Sequence, residues 1–113
     1  MAKYRKDRVQ ESVKVAVSEV LASLRDPRLG FVTITDVDLS NDMSYAKIYV
    51  SILGGDDEKK QTMEALSSAK GFVRTSLGQK VKLRIVPNIS FVYDDSIERG
   101  SHLMKLFAEL EKE

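Results

Sequence analysis

One stretch of this chain constrains its fold more than any other: a strand, a long helical run and a second strand, in that order. Residues 44–53, SYAKIYVSIL, alternate. Ala46, Ile48, Val50 and Ile52 share one face, and Tyr45, Lys47, Tyr49 and Ser51 share the other. Gly54-Gly55-Asp56-Asp57 ends that pattern. A helical run follows, with Met63, Leu66 and Ala69 before Ser68-Ala69-Lys70-Gly71, and Phe72, Val73, Leu77 and Val81 after it. Gly71 is a poor helix-interior residue, costing roughly 1 kcal/mol against Ala, so the run reads as two helical pieces from Met63 to Arg84 with a bend between them. Pro87 and Asn88 mark the next boundary, and Ile89–Tyr93 reads as a strand. A helical crossover of this length lets the two strands lie parallel with a right-handed connection.

The rest of the chain fits around this unit. Val9, Val13, Ala16, Val17, Val20, Leu21 and Leu24 form one apolar stripe and predict a helix over 5–25, with Val15 off the stripe. Asp26-Pro27 ends it, because the residue before proline is pushed out of the α region. Residues 31–39, FVTITDVDL, read as a strand that pairs antiparallel with 44–53 across the Ser40-Asn41-Asp42 turn. Asp95, with Glu98 three residues on, predicts a capped final helix carrying Leu103, Leu106, Phe107 and Leu110. The expected architecture is α+β, in the order α-β-β-α-bend-α-β plus a terminal helix. The 44–53 strand is central and its Ala46/Ile48/Val50/Ile52 face lies under helices. At 113 residues the chain reads as one domain, with a core over about 5–95 and the last helix over about 96–112.

Composition excludes several chemistries. There is no Cys and one His, so thiolate metal sites, thiol redox chemistry and disulfides are out, and a reducing cytoplasm suits the chain. No apolar run approaches the ~18 residues of a membrane span. MAKYRKDR lacks the apolar core of a signal peptide. The net charge is only +1, so any argument for nucleic acid rests on distribution. Lys3, Arg5, Lys6 and Arg8 cluster at one end. From Ala65 to Tyr93 there is no acid, while Lys70, Arg74, Lys80, Lys82 and Arg84 all fall inside. Segregation of this kind predicts one basic face for phosphate, against the alternatives of a solvated helix face and a frayed terminus. A helix starting near Gly71 also turns its N-terminal N–H groups outward, beside Lys70.

Other constellations are weaker. Tyr45 and Tyr49 flank Lys47 on the outer sheet face, where they either stack on bases or pack under the terminal helix. Arg25 and Arg28 flank a proline loop and either meet nucleic acid or pair with acids. Asp36 and Asp38 share a strand face in a D-x-D pattern, but no third ligand is placed by sequence, and a solvent-facing strand end is the simpler reading. His102 has no partner in the sequence that would make it a base or ligand. No phosphate-binding loop or dinucleotide fingerprint is present. No cofactor and no metal is implied.

Several local sequences, taken together, resemble the bacterial ribosome-binding factor A family. They are Arg25-Asp26-Pro27-Arg28, Val32–Val37, Tyr45–Ser51, Ser68–Arg74, Val86-Pro87, Phe91–Asp94 and Ser96–Gly100, in order and at family spacing over nearly the whole chain. The resemblance implies a type II KH fold. It also implies that an Ala-x-Gly helix kink, here Ala69-Lys70-Gly71, replaces the GxxG loop with which KH domains grip single strands. It further implies a non-catalytic factor that binds immature 30S subunits and 16S rRNA and promotes late maturation, including 16S 5′-end processing. Such factors support growth in the cold, act in the cytoplasm and leave the particle with help from a ribosome-associated GTPase. Some family members carry a longer basic C-terminal tail than this sequence shows. Nothing in the sequence demands more than a monomer. The competing reading is a generic single-stranded RNA module of KH or RRM type.

Overall fold

The computed structural model describes residues 2–112, with the side chains of 2–4, 97, 98, 101, 102 and 112 left aside. The cation of Lys3, the carboxylate of Glu98 and the imidazole of His102 therefore lie outside the described residues. The elements run α1 (Ala2–Ser23), β1 (Phe31–Leu39), β2 (Tyr45–Leu53), α2 (Asp56–Ser68), α3 (Lys70–Lys80), β3 (Asn88–Tyr93) and α4 (Ser96–Lys112). The sheet order is β1-β2-β3, antiparallel between β1 and β2 and parallel between β2 and β3. This is the α+β order expected from the sequence, with β2 in the centre.

The alternation of β2 decides where the core lies. Ala46, Ile48, Val50 and Ile52 are buried, and over them pack Val13, Val17 and Val20 of α1, Leu66 of α2, and Val73 and Leu77 of α3. Val15 stays exposed on the far side of α1, as its phase requires. Thr62 is the one buried polar residue among those described. Its Oγ1 accepts the Gly30 N–H at 3.1 Å and donates to the Arg28 carbonyl at 3.3 Å, so the loop after α1 is tied to α2.

β1 departs from a plain strand. Its register against β2 shifts between Ile34 and Asp36, leaving Thr35 as an extra residue. Ile34 is buried before the bulge, and Val37 and Leu39 after it. The inward phase has moved by one residue, as a bulge demands. Without it, Val37 and Leu39 would face water.

Three boundaries differ from the sequence expectation. α1 stops at Ser23, two residues early, where the Leu24 N–H turns back to the Leu21 carbonyl and Ser23 Oγ bonds the Val20 carbonyl. The second helical piece stops at Lys80, not Arg84. Val81 is extended (φ −126°, ψ 129°), and Lys82 and Arg84 lie in the segment leading to β3. At the start of α4 the carboxylate that accepts a helix N–H is Asp94, which takes that of Ser96 at 2.9 Å. The Asp95 carboxylate instead pairs with Arg99 at 2.9 Å.

α4 carries its apolar stripe outward. Leu103, Met104, Leu106, Phe107 and Leu110 are all exposed. The outer face of the sheet is therefore not roofed by it, and Tyr45 is 63% exposed.

The two glycines of α3 act differently. A Cβ on Gly71 would meet nothing within 4 Å, whereas a Cβ on Gly78 would sit 3.0 Å from Val86 Cγ2. Gly78 thus lets the 81–87 segment pack close to the helix. Gly71→Ala is expected to raise stability by up to about 1 kcal/mol through helix propensity. Gly78→Ala gains the same propensity and loses about 1–3 kcal/mol to overpacking, so its net effect is destabilising. Urea midpoints of the two variants should move in opposite directions from that of the wild type.

Candidate nucleic-acid interface

The helix bend is a single residue. Ala69 lies between α2 and α3 at φ −89°, ψ 0°. Its N–H is shared between the Ala65 and Leu66 carbonyls, and its carbonyl accepts the Val73 N–H at 2.9 Å. Gly71 has no positive φ and so does not itself make the bend. Its contribution is absence of bulk, since Lys70, Gly71 and Phe72 form an exposed first turn. Phe72, read from sequence as part of the apolar stripe, is 56% exposed. The bend rotates the stripe so that Val73 and Leu77 point inward and Phe72 does not. This leaves an aromatic beside Lys70, a combination suited to base stacking next to a phosphate.

The basic block read from the sequence separates into distinct places. Lys70 and Arg74 sit in the first half of α3, and the Arg74 guanidinium donates to the Val86 carbonyl at 3.1 Å. Lys80, at the other end, is paired with Glu19 of α1 at 3.2 Å. An exposed pair like this contributes little to stability, yet it offsets the charge Lys80 offers to a phosphate. Lys82 and Arg84 turn away from α3 altogether. They border a hollow of about 510 Å³ together with Arg5 of α1 and with Asn41 and Asp42 of the β1–β2 turn. Lys6 Nζ reaches the Asn41 side-chain oxygen at 3.4 Å. The two basic clusters, far apart in sequence, thus meet here, with Arg5 and Lys6 from one and Lys82 and Arg84 from the other. Arg8 lies on the exposed side of α1.

The turn at the edge of this hollow is firmly built. Asp42 Oδ1 accepts from Ser40 Oγ (2.8 Å), Ser44 Oγ (2.7 Å) and the Ser44 N–H (3.1 Å). Hydrogen bonds from Ser44 and then Ser40 lower the Asp42 carboxyl from 3.8 to about 2. Because the folded value lies below the unfolded one, this contribution is present above pH 3.8 and is lost as pH falls through about 2. A carbon-detected NMR titration should give that low midpoint, and Ser44→Ala should move it back toward 3.8.

The remaining candidates are elsewhere. Arg28 forms a fork with Asp26, Nη2 to Oδ2 at 2.8 Å and Nε to Oδ1 at 3.2 Å, so it pairs with an acid. Arg25 is exposed. Asp36 and Asp38 line a shallow hollow with Asp94 and Tyr49, but Asp94 Oδ2 is taken by Thr35 Oγ1 at 2.6 Å and Asp36 Oδ1 by the Val37 N–H at 2.9 Å. Among the described residues no three His, Cys, Asp or Glu side chains are grouped to hold a metal ion, and no helix is long and apolar enough to cross a membrane.

Comparison with known proteins settles the family. The profile of Ribosome-binding factor A matches residues 5–107. The chain belongs to the ribosome-binding factor A family. Ribosome-binding factor A of Staphylococcus carnosus is 44% identical over 113 residues, covering 99% of this chain and 98% of the relative. The crystal structure of ribosome-binding factor A from Thermus thermophilus superposes with a TM-score of 0.71 at 30% identity, over 78% of this chain and 93% of that one. A homology model of the Thermus thermophilus factor, fitted into a cryo-EM map of a complex of the 30S with the factor, matches with a TM-score of 0.66 at 29% identity, over 76% and 91% of the two chains. The family and α+β fold implied by the local sequences are therefore those of the chain.

Proposed function

We propose that this chain binds the 30S ribosomal subunit through 16S rRNA, and that it does so without covalent chemistry. The Thermus thermophilus relative described in a 30S complex supports the partner. The observation that carries the contact surface is the convergence of Arg5, Lys82 and Arg84 on one hollow, with Lys70, Arg74 and exposed Phe72 on α3 as a second point of attachment. Phosphate contacts of this kind position a protein on RNA and give affinity that falls with salt. The mechanism follows from linkage. A factor that binds one rRNA conformation better than another shifts the particle toward it by its differential affinity alone.

On this reading the factor favours a late 30S conformation and so promotes maturation, including 16S 5′-end processing, with the demand greatest in the cold. A ribosome-associated GTPase acting on the same particle would release it. The protein works in the cytoplasm as a monomer.

The test is sedimentation of the protein with 30S particles, 70S ribosomes and a panel of free RNA oligonucleotides at several salt concentrations. Co-migration with 30S but not 70S, and weak oligonucleotide binding, is expected. Equal or tighter binding to free oligonucleotides would overturn the proposal in favour of a generic RNA module.

A further inference from the structure

The hollow beside Arg5, Lys82 and Arg84 is not merely a basic surface, because its floor is apolar. Val9 of α1, Leu39 at the end of β1, Met43 of the turn, and Leu83 and Ile85 of the 81–87 segment all line it. Ile85 is 56% exposed, though it lies two residues beyond the core-packed Leu83. At about 510 Å³ the space lies inside the roughly 300–1,000 Å³ range of small-ligand sites. A phosphate needs no such floor. A flat heterocycle does, and an unpaired nucleotide carries both a heterocycle and a phosphate.

We infer that this hollow takes one unpaired nucleotide of the bound RNA. The base lies on Ile85, Leu83 and Met43, and the adjoining phosphates lie on Arg5, Lys82 and Arg84.

The charges around the rim give the site a direction. The cations come from α1 and the 81–87 segment, and the opposite side is Asn41 and Asp42. Asp42 is a carboxylate at any physiological pH, since its value is lowered to about 2. It repels a phosphate and accepts a hydrogen bond from an amino or imino group. The backbone is thereby kept to the cationic side and the base edge to the turn. Met43 supports the same reading. It has φ 61°, the one positive φ at a non-glycine residue among those described. Strained residues of this kind cost about 1–3 kcal/mol and gather where a ligand is held. Here the strain places a polarizable, partly buried side chain against the floor, while its N–H bonds the Ser40 carbonyl at 2.9 Å.

The inference rests on the RNA-binding reading above, and two measurements separate them. In the first, Ile85→Ala is compared with the wild type for affinity to 30S particles across a salt series. Stacking lost from one base should cost roughly tenfold, and the salt slope should stay unchanged because no cation is removed. In the second, 5′-AMP, 5′-GMP and ribose 5-phosphate are titrated into the wild-type protein while methyl resonances are followed by NMR. The nucleotides should shift the methyl signals of Ile85, Leu83 and Met43, and ribose 5-phosphate should leave them in place. Wild-type affinity in Ile85→Ala, or methyl signals that respond equally to ribose 5-phosphate or not at all, would overturn the nucleotide site. Particle binding by the wild type would still stand in that case. Failure of the wild type to bind particles would instead sink the ribosomal reading, with the NMR titration still reporting on the hollow.

Discussion

The triple variant Arg5→Ala, Lys82→Ala, Arg84→Ala is expected to lose on the order of a hundredfold in 30S affinity at low salt, and its plot of log affinity against log salt should be shallower by about two to three units. The three cations border one hollow although almost eighty residues separate the first from the others. Each phosphate neutralised by such a group releases condensed counterions, so removing three groups removes up to three releases. None of the three lies in the core cluster, so the variant should unfold at the same urea concentration as the wild type. Lys80→Ala makes the matched control. Its ammonium is already engaged by Glu19 at 3.2 Å, so it should cost less affinity than Lys82→Ala. Sedimentation across salt concentrations checks both. An unchanged slope in the folded triple variant would remove this surface from the interface.

The second large effect is on stability. Ile48→Ala is expected to cost about 2–5 kcal/mol, a large share of the roughly 5–15 kcal/mol that holds a domain folded. Ile48 is 0% exposed at the centre of β2, opposite Val37 of β1 and Phe91 of β3. With a strand on either side and helices above, the sheet has little room to collapse into the cavity. The urea midpoint should fall with no change in slope, as for a loss of packing in an otherwise unchanged fold. Val15→Ala, on the exposed side of α1, should stay within about 0.5 kcal/mol of the wild type.

Both predictions draw on features that differ in how visible they are in the sequence. The Ala46/Ile48/Val50/Ile52 alternation named the buried face of β2 directly, and the helical run between two strands named the parallel crossover. The bulge in β1 left a trace that a plain-strand reading passed over. Val32 and Ile34 occupy even positions while Val37 and Leu39 occupy odd ones, and only an extra residue at Thr35 reconciles them. The helix end at Lys80 was obscured because Val81 and Leu83 continue to bury apolar surface after the backbone has become extended. Phe72 was misplaced for a related reason. A one-residue interruption at Ala69 turns the stripe by an angle that no count of residues records.

Element order, strand pairing and the buried face of the sheet are local matters. Each depends on a period of two or of 3.6, or on a breaker such as Pro27 or Gly54-Gly55, and misplacing an apolar side chain carries a solvation penalty that enforces the pattern. The family resemblance is legible for the same reason, since it resides in short runs of contiguous residues. The grouping of the cations is different. A solvated Lys or Arg incurs no such penalty wherever it sits, so its position in sequence carries no period. The basic block from Lys70 to Arg84 looked continuous, and folding divided it. Lys80 went to Glu19, Arg74 to the Val86 carbonyl, and Lys82 and Arg84 to the hollow that they share with Arg5. That division was settled only when α1, the β1–β2 turn and the 81–87 segment were brought together by the packing of the apolar core beneath them.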